Sequence, residues 1–182
     1  MGDLLADLAR HRFGTDIALL NSGQIRGSLG VGTVTYGQLL QLLPFDSKMM
    51  TLKLTGRELL RVLEHSVSLS PLPIGRFLQV SGISVTYDLG KPSGNRVHRV
   101  TVNGQPLVLD RIYSVATDEF IANGGDDYVM FAHATDRIDR QIPLRDLLLD
   151  EIRRRPLEAR VEGRIVYIEA SQGHSHEGFS KR

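Results

Sequence analysis

The hydrophobic pattern of the chain changes its period at Phe77. Before that residue, apolar side chains recur at helical spacing or form short runs; after it, Ile83, Val85 and Tyr87 alternate with polar residues. A second alternating stretch ends directly before Asn103-Gly104, the dipeptide most typical of a two-residue β-hairpin turn. Helices followed by strands in hairpin order predict an α+β fold in which helices pack over a mixed sheet.

Local signals place the helix boundaries. Thr35 with Gln38, and Thr55 with Glu58, have the spacing of capping boxes, so a helix is predicted to begin at each pair. Pro44 ends the first of these helices, because proline cannot continue a helix. Further helices are predicted over residues 1–12 and 144–153, and further strands over residues 17–20, 49–54, 113–117 and 164–169.

Composition excludes several classes of protein. The 182 residues include 22 Lys and Arg against 21 Asp and Glu, and this balance argues against a dedicated nucleic-acid-binding protein. Because cysteine is absent, disulfides, cysteine-ligated zinc and a thiol nucleophile are excluded. We predict one domain over residues 1–170 and a polar, flexible tail over residues 171–182.

The sequence shows no targeting signal of the kinds that can be recognised from residue patterns. It shows no signal peptide, no apolar run of transmembrane length and no hydrophobic tail typical of a lipid-anchor signal. The compartment therefore stays unknown, and we expect no membrane partner.

The first candidate binding loop is Asn21-Ser-Gly-Gln-Ile-Arg26, which follows a short apolar strand. Asn21 offers an amide that both donates and accepts, and Arg26 offers a guanidinium suited to phosphate or carboxylate. The same residue types are common in tight turns, where Asn bonds to the backbone and Arg is merely solvated. Both interpretations stay open on these residues alone.

The second candidate loop spans residues 118–128 and contains Phe120-Ile-Ala-Asn123-Gly124-Gly125-Asp126. The two glycines allow close approach of a ligand, and Asp126 is able to accept hydrogen bonds from a pair of sugar hydroxyls. A turn beside a core phenylalanine is the alternative. A calcium loop is disfavoured, because the alternating oxygen ligands and distal Glu of an EF-hand are missing.

Aromatic side chains on separate loops suggest a platform for a planar base. Phe45 follows the Pro44 helix stop, and together with Phe120 it could hold a base between two rings. Spacing alone does not show that these loops meet.

Of the six histidines, His65 is interpreted as a surface or helix-end residue, and His174 and His176 as a tail with at most adventitious metal affinity.

Two common catalytic motifs are absent from the sequence: it contains neither a Gly-x-Ser-x-Gly nucleophile elbow nor a Walker-type phosphate-binding loop. The residues by themselves therefore favour a small-molecule-binding domain over a complete catalyst.

Six motifs in register carry a family resemblance. The chain resembles the C-terminal, substrate-binding domain of the 5′-nucleotidase family over about residues 1–168. The motifs are Asn21-Ser-Gly-Gln-Ile-Arg26, Leu43-Pro-Phe45, Leu54-Thr-Gly56, Phe77-Leu-Gln-Val-Ser-Gly82, Tyr87-Asp88 and Phe120-Ile-Ala-Asn-Gly-Gly-Asp126.

The resemblance implies roles for the candidate residues. Phe45 and Phe120 would stack on either side of a nucleobase. Asn21 would hydrogen-bond near the base, and Arg26 would reach toward the ribose and phosphate. Asp126 would accept from the ribose hydroxyls, while the backbone of Asn123, Gly124 and Gly125 shapes the loop.

The resemblance also implies what is missing. In this family a separate N-terminal metallophosphatase domain carries a pair of divalent metals, such as zinc, and the catalytic residues. We expect this chain to have no metal site or cofactor of its own, no catalytic residue and no second substrate-binding Arg. We expect a fragment, a truncated product or half of a split enzyme, whose ligand is a nucleoside or nucleotide and whose partner is a metallophosphatase domain.

The expected function is nucleotide binding for a hydrolase that dephosphorylates nucleoside 5′-monophosphates. The alternative is a stand-alone, non-catalytic module that binds nucleosides or another protein. Whether the chain acts as an enzyme, which base it prefers and whether it accepts sugar-linked diphosphates are left open.

Overall fold

The computed structural model describes residues 1–168. Its helices are α1 (Gly2–Phe13), α2 (Tyr36–Leu42), α3 (Gly56–Val67), α4 (Glu119–Ala122) and α5 (Leu144–Arg154). Its strands are β1 (Ile17–Asn21), β2 (Lys48–Thr55), β3 (Leu78–Ser81), β4 (Ile83–Asp88), β5 (Val97–Val102), β6 (Gln105–Pro106), β7 (Ile112–Asp118), β8 (Thr135–Pro143) and β9 (Ile165–Ile168). The predicted tail and its histidines lie outside the described residues.

The strands form two mixed sheets. The five-stranded sheet has the order β3-β1-β7-β2-β8, and the four-stranded sheet has the order β6-β5-β4-β9. Each sheet contains one parallel pair, β1 with β7 and β4 with β9, among antiparallel neighbours. The predicted α+β class is confirmed, whereas the prediction of a single sheet is corrected to two.

Helices and the second sheet cover both faces of the five-stranded sheet. On β1, Ile17 and Leu19 pack into a core that contains α3 and the four-stranded sheet. Ala18 and Leu20 point the other way, into a core formed with α1, α2 and α5. Because successive side chains of a strand face opposite sides, a strand buried on both sides is apolar throughout, as the run from Ile17 to Leu20 is.

Both predicted capping boxes are present. The Thr35 hydroxyl accepts from the backbone of Gln38, and the Thr55 hydroxyl accepts from the backbone of Glu58. The Asn103-Gly104 hairpin also forms, joining β5 to β6 with both turn residues at positive φ. These features depend on neighbours in sequence, which is why the sequence predicts them.

Strand β8 is absent from the sequence prediction. Most of its residues are exposed, none is buried and several are charged, so they show no alternation of apolar and polar side chains. The strand exists because its backbone pairs with β2 at the edge of the sheet.

None of the helices within residues 1–168 is long and apolar enough to cross a membrane.

Candidate functional site

The parallel pairing of β1 and β7 brings the two candidate loops together. Ile17 lies opposite Val115, and Ala18 lies opposite Ala116. Since neighbouring parallel strands end at the same edge of a sheet, the segments after Asn21 and after Asp118 leave the sheet side by side. Ligands of α/β sheets commonly bind in the crevice beyond such strand ends.

One cavity of about 770 Å³ collects most of the predicted site residues. Seven of the eight line it; the exception is Gly124, which belongs to the same loop but does not line the cavity. The lining residues from the prediction are Asn21, Arg26, Phe45, Phe120, Asn123, Gly125 and Asp126. This volume falls in the range of small-molecule sites.

Asn21 and Asp126 join the two loops directly. The Asn21 amide Nδ2 donates a hydrogen bond to the Asp126 carboxylate Oδ2. Asn21 is 3% exposed, so its side chain is held by the fold. Asp126 has a left-handed backbone (φ 52°, ψ 31°), a conformation that Asp tolerates better than most residues. A carboxylate has further acceptor sites, so Asp126 retains capacity for ligand hydroxyls.

Phe45 and Arg26 form the outer wall of the cavity. Phe45 lines the cavity and is 50% exposed, so its ring is accessible to a ligand there. The Arg26 guanidinium carbon lies 5.4 Å from the centroid of the Phe45 ring, a cation–π distance. The Arg26 backbone N–H donates to the carbonyl of Leu42, which fixes the loop against the end of α2.

Phe120 faces the cavity from the short helix α4 and is also 50% exposed. Gly125 lies directly against its ring: a Cβ at Gly125 would stand 2.6 Å from Phe120 ring atoms. Real side chains do not approach so closely, so the ring occupies its position because residue 125 has no side chain. Gly125 therefore shapes the wall that Phe120 presents.

Gln24 and Asp118 form a second link between the loops, which the sequence prediction missed. The Gln24 Nε2 donates to the Asp118 carboxylate at 3.0 Å, and Asp118 also accepts from the Ile121 backbone at the start of α4. Both residues line the cavity. The only signal in the sequence is that Asp118 is a residue type that favours helix N-caps. Its burial, to 1% exposure, depends on the packing of β7 and therefore leaves no local pattern in the sequence.

Burial raises the pKa of Asp118 above its usual 3.8, although hydrogen bonds from Ile121, Asn21 and Gln24 oppose the shift. A carboxyl group whose pKa is raised by folding stabilises the folded state most below pH 3.8. That contribution is lost as the pH rises through the pKa of the folded state.

We expect Asp118→Asn to keep the cap and to lie within about 1 kcal/mol of the wild type at pH 7, because Asn and Asp are similar N-caps and the Gln24 amide can rotate so that its oxygen accepts from the new amide nitrogen. Relative to wild type, this variant should gain free energy of unfolding as the pH rises from below about 4 to about 7. Asp118→Ala should lose about 1–3 kcal/mol, since the cap and the acceptor for Gln24 both disappear. Urea unfolding across this pH range measures these differences, and a pH-independent difference between Asp118→Asn and wild type would contradict the assignment.

His65 anchors the second loop from outside the cavity. As predicted, it lies near the end of α3, but it is half-buried rather than solvated. Its Nε2 donates to the backbone carbonyl of Asp126 at 2.7 Å. Its ring packs edge-on against the Tyr128 ring, with the two ring centroids 4.6 Å apart. No pattern in the sequence connects His65 with residues so far along the chain.

Among residues 1–168, no group of three or more His, Asp or Glu side chains lies close enough together to hold a metal ion. The cavity offers amide, guanidinium, carboxylate and aromatic groups, which suit recognition of an organic ligand.

The family model for "5′-nucleotidase, C-terminal domain" matches residues 1–133. The chain belongs to this family. The 5′-nucleotidase of Homo sapiens is 33% identical to this family member over 178 residues, which cover 90% of the chain and 30% of the human protein. The trifunctional nucleotide phosphoesterase protein YfkN of Bacillus subtilis is 31% identical over 179 residues, or 92% of the chain and 12% of that protein.

A solved structure agrees with this assignment. The 5′-nucleotidase precursor from Thermus thermophilus superposes on this 5′-nucleotidase C-terminal domain with a TM-score of 0.87 at 37% identity. The match covers 93% of the chain and 35% of the Thermus protein. The domain therefore spans about a third or less of the length of these relatives.

Proposed function

We propose that this domain binds the nucleoside part of a nucleotide in the cavity between its two loops. The observation that carries the proposal is the hydrogen bond between Asn21 and Asp126, which joins loops far apart in sequence within one cavity that also exposes Phe45 and Phe120. The relatives that match the chain include 5′-nucleotidases, whose name describes action on nucleotides.

Each wall of the cavity suits one part of a nucleoside. The half-exposed rings of Phe45 and Phe120 offer faces for stacking a planar base. In this proposal the Asn21 amide would hydrogen-bond polar atoms of the base, and Asp126 would accept hydrogen bonds from the ribose hydroxyls. Arg26, exposed beside Phe45, would reach toward the ribose and the phosphate.

We further propose that the domain serves a hydrolase acting on nucleoside 5′-monophosphates. A metallophosphatase domain, in the same chain or a separate one, would supply a metal pair that activates water for attack on phosphorus. The residues of this domain would hold the nucleoside and orient its phosphate, and such positioning lowers a barrier by several kcal/mol when the geometry is right. Alone, the domain is expected to bind nucleosides and to hydrolyse nothing.

Calorimetric titration of the chain with adenosine, guanosine, cytidine and uridine tests the proposal. At least one nucleoside should release heat with a saturable isotherm. Its 2′,3′-dideoxy analogue should bind about tenfold more weakly, because hydrogen bonds to a charged acceptor such as Asp126 contribute about 1.5 kcal/mol or more. Absence of binding by all four nucleosides and their monophosphates would refute the proposal. If the dideoxy analogue binds as tightly as the nucleoside, Asp126 does not accept hydrogen bonds from the ribose hydroxyls.

A further inference from the structure

The wall of the cavity that carries Phe120, Asn123 and Asp126 has little regular structure of its own. Helix α4 has 4 residues, and residues 125–127 and 129–133 form single 3₁₀ turns. Helices this short are not stable by themselves. Whatever fixes their position must therefore come from neighbouring parts of the fold.

Arg137 on the edge strand β8 makes such contacts from behind the wall. Its Nη2 group donates to the carbonyl of Ala122 at 2.9 Å and to the Asn123 side-chain Oδ1 at 2.7 Å. Its Nη1 group donates to the carbonyl of Phe131 at 2.9 Å. One guanidinium thus joins the end of α4, a cavity-lining side chain and the second 3₁₀ turn.

The Ala122 carbonyl needs a partner from outside its own helix. Ala122 is the last residue of α4, where helix carbonyls have no partner within the helix, and it is 2% exposed. Phe131 is completely buried, and its carbonyl accepts from the Ala134 N–H as well as from Arg137. The planar fork of arginine reaches several carbonyls at once, a geometry that the single ammonium of lysine does not reproduce.

We propose that Arg137 is a positioning residue for nucleoside binding. It acts through Asn123 and the end of α4, and it holds Phe120 and the Asp126 loop in the arrangement that accepts the ligand. The proposal rests on the proposed function for its effect on affinity. Without Arg137 the loop would have to order when the ligand binds, and ordering of side chains and loops at that moment lowers affinity.

The test compares Arg137→Gln and Arg137→Lys with Arg57→Gln in the full chain. Arg57 is a matched control because it is an exposed arginine in an ion pair with Asp110 and does not line the cavity. Both Arg137 variants should bind adenosine, or whichever nucleoside the wild type binds, about tenfold more weakly. Arg57→Gln should bind as the wild type does. An Arg137→Lys protein that is folded and binds within about twofold of the wild type would overturn the proposal.

Amide hydrogen exchange separates this proposal from the proposed function, since it needs no ligand. The N–H groups of Asn123 and Gly124 donate to the carbonyls of Glu119 and Ile121, each at 3.0 Å, and so report on the end of α4. In Arg137→Gln their exchange should be about tenfold faster, while exchange in the β4–β5 pair stays unchanged. Unchanged exchange at Asn123 and Gly124 would overturn the proposal even if the wild type binds no nucleoside.

A double-mutant cycle tests the route through Asn123. If Arg137 acts through this side chain, Arg137→Gln combined with Asn123→Ala should weaken binding by less than the product of the two single effects. Fully multiplicative losses would contradict action through Asn123.

Discussion

Replacing Phe120 with alanine should weaken nucleoside binding about 5- to 150-fold, because base–aromatic stacking contributes about 1–3 kcal/mol per base. Phe120 is half-exposed into the cavity, so its removal deletes stacking area without opening a hole in the core. Removing Phe45 as well should leave no measurable binding, since both faces of the base then lose their aromatic neighbours. Calorimetric titration of the single and double variants gives these affinities.

Tyr36→Ala is the matched control for this prediction. Tyr36 is an aromatic residue of comparable exposure, at 54%, and it does not line the cavity. Its replacement should leave nucleoside affinity unchanged, and thermal unfolding checks that all variants are folded. A Phe120→Ala protein that binds as tightly as the wild type would mean that the base does not stack on this ring.

Gly82→Ala should lower the free energy of unfolding by about 2–4 kcal/mol, one of the larger effects expected of a single substitution. Gly82 lies between β3 in one sheet and β4 in the other, at φ +73°. A Cβ there would stand 2.1 Å from the carbonyl oxygen of Asp16. The alanine side chain would therefore meet a backbone atom, and the alanine would have to adopt the left-handed conformation of residue 82, which costs free energy for residues other than glycine.

Gly94→Ala separates the contribution of the contact with Asp16 from that of the left-handed backbone. Gly94 also has positive φ (+90°), but an added Cβ there meets nothing within 4 Å. This control should lose only about 1–2 kcal/mol from the left-handed conformation, and the excess loss at Gly82 measures the contact with Asp16. For a domain of this size, a loss of about 2–4 kcal/mol lowers Tm by about 5–15 °C. Equal Tm values for the two variants would show that the chain accommodates the Cβ by shifting.

The parts of the fold that the sequence predicted are those specified locally. The capping boxes at Thr35 and Thr55 depend on residues three positions apart, and the Asn103-Gly104 turn depends on two neighbours. Strand β8 was missed because its register comes from β2 and its exposed charges follow no period. The division into two sheets was missed for a related reason, since strand alternation does not reveal which strands pair.

The candidate site divides in the same way. The chain's own residue types indicated which side chains suit a nucleoside, and six motifs in order indicated the family, because both are properties of the linear sequence. Only the tertiary structure brought Asn21 beside Asp126, buried Asp118 against Gln24 and set Arg137 behind Asn123. Each of these contacts joins separate elements, and such contacts follow from the parallel pairing of β1 with β7 and from the edge position of β8. Strand pairing between distant segments is decided by the packing of the whole core, which is why no local pattern in the sequence determined it.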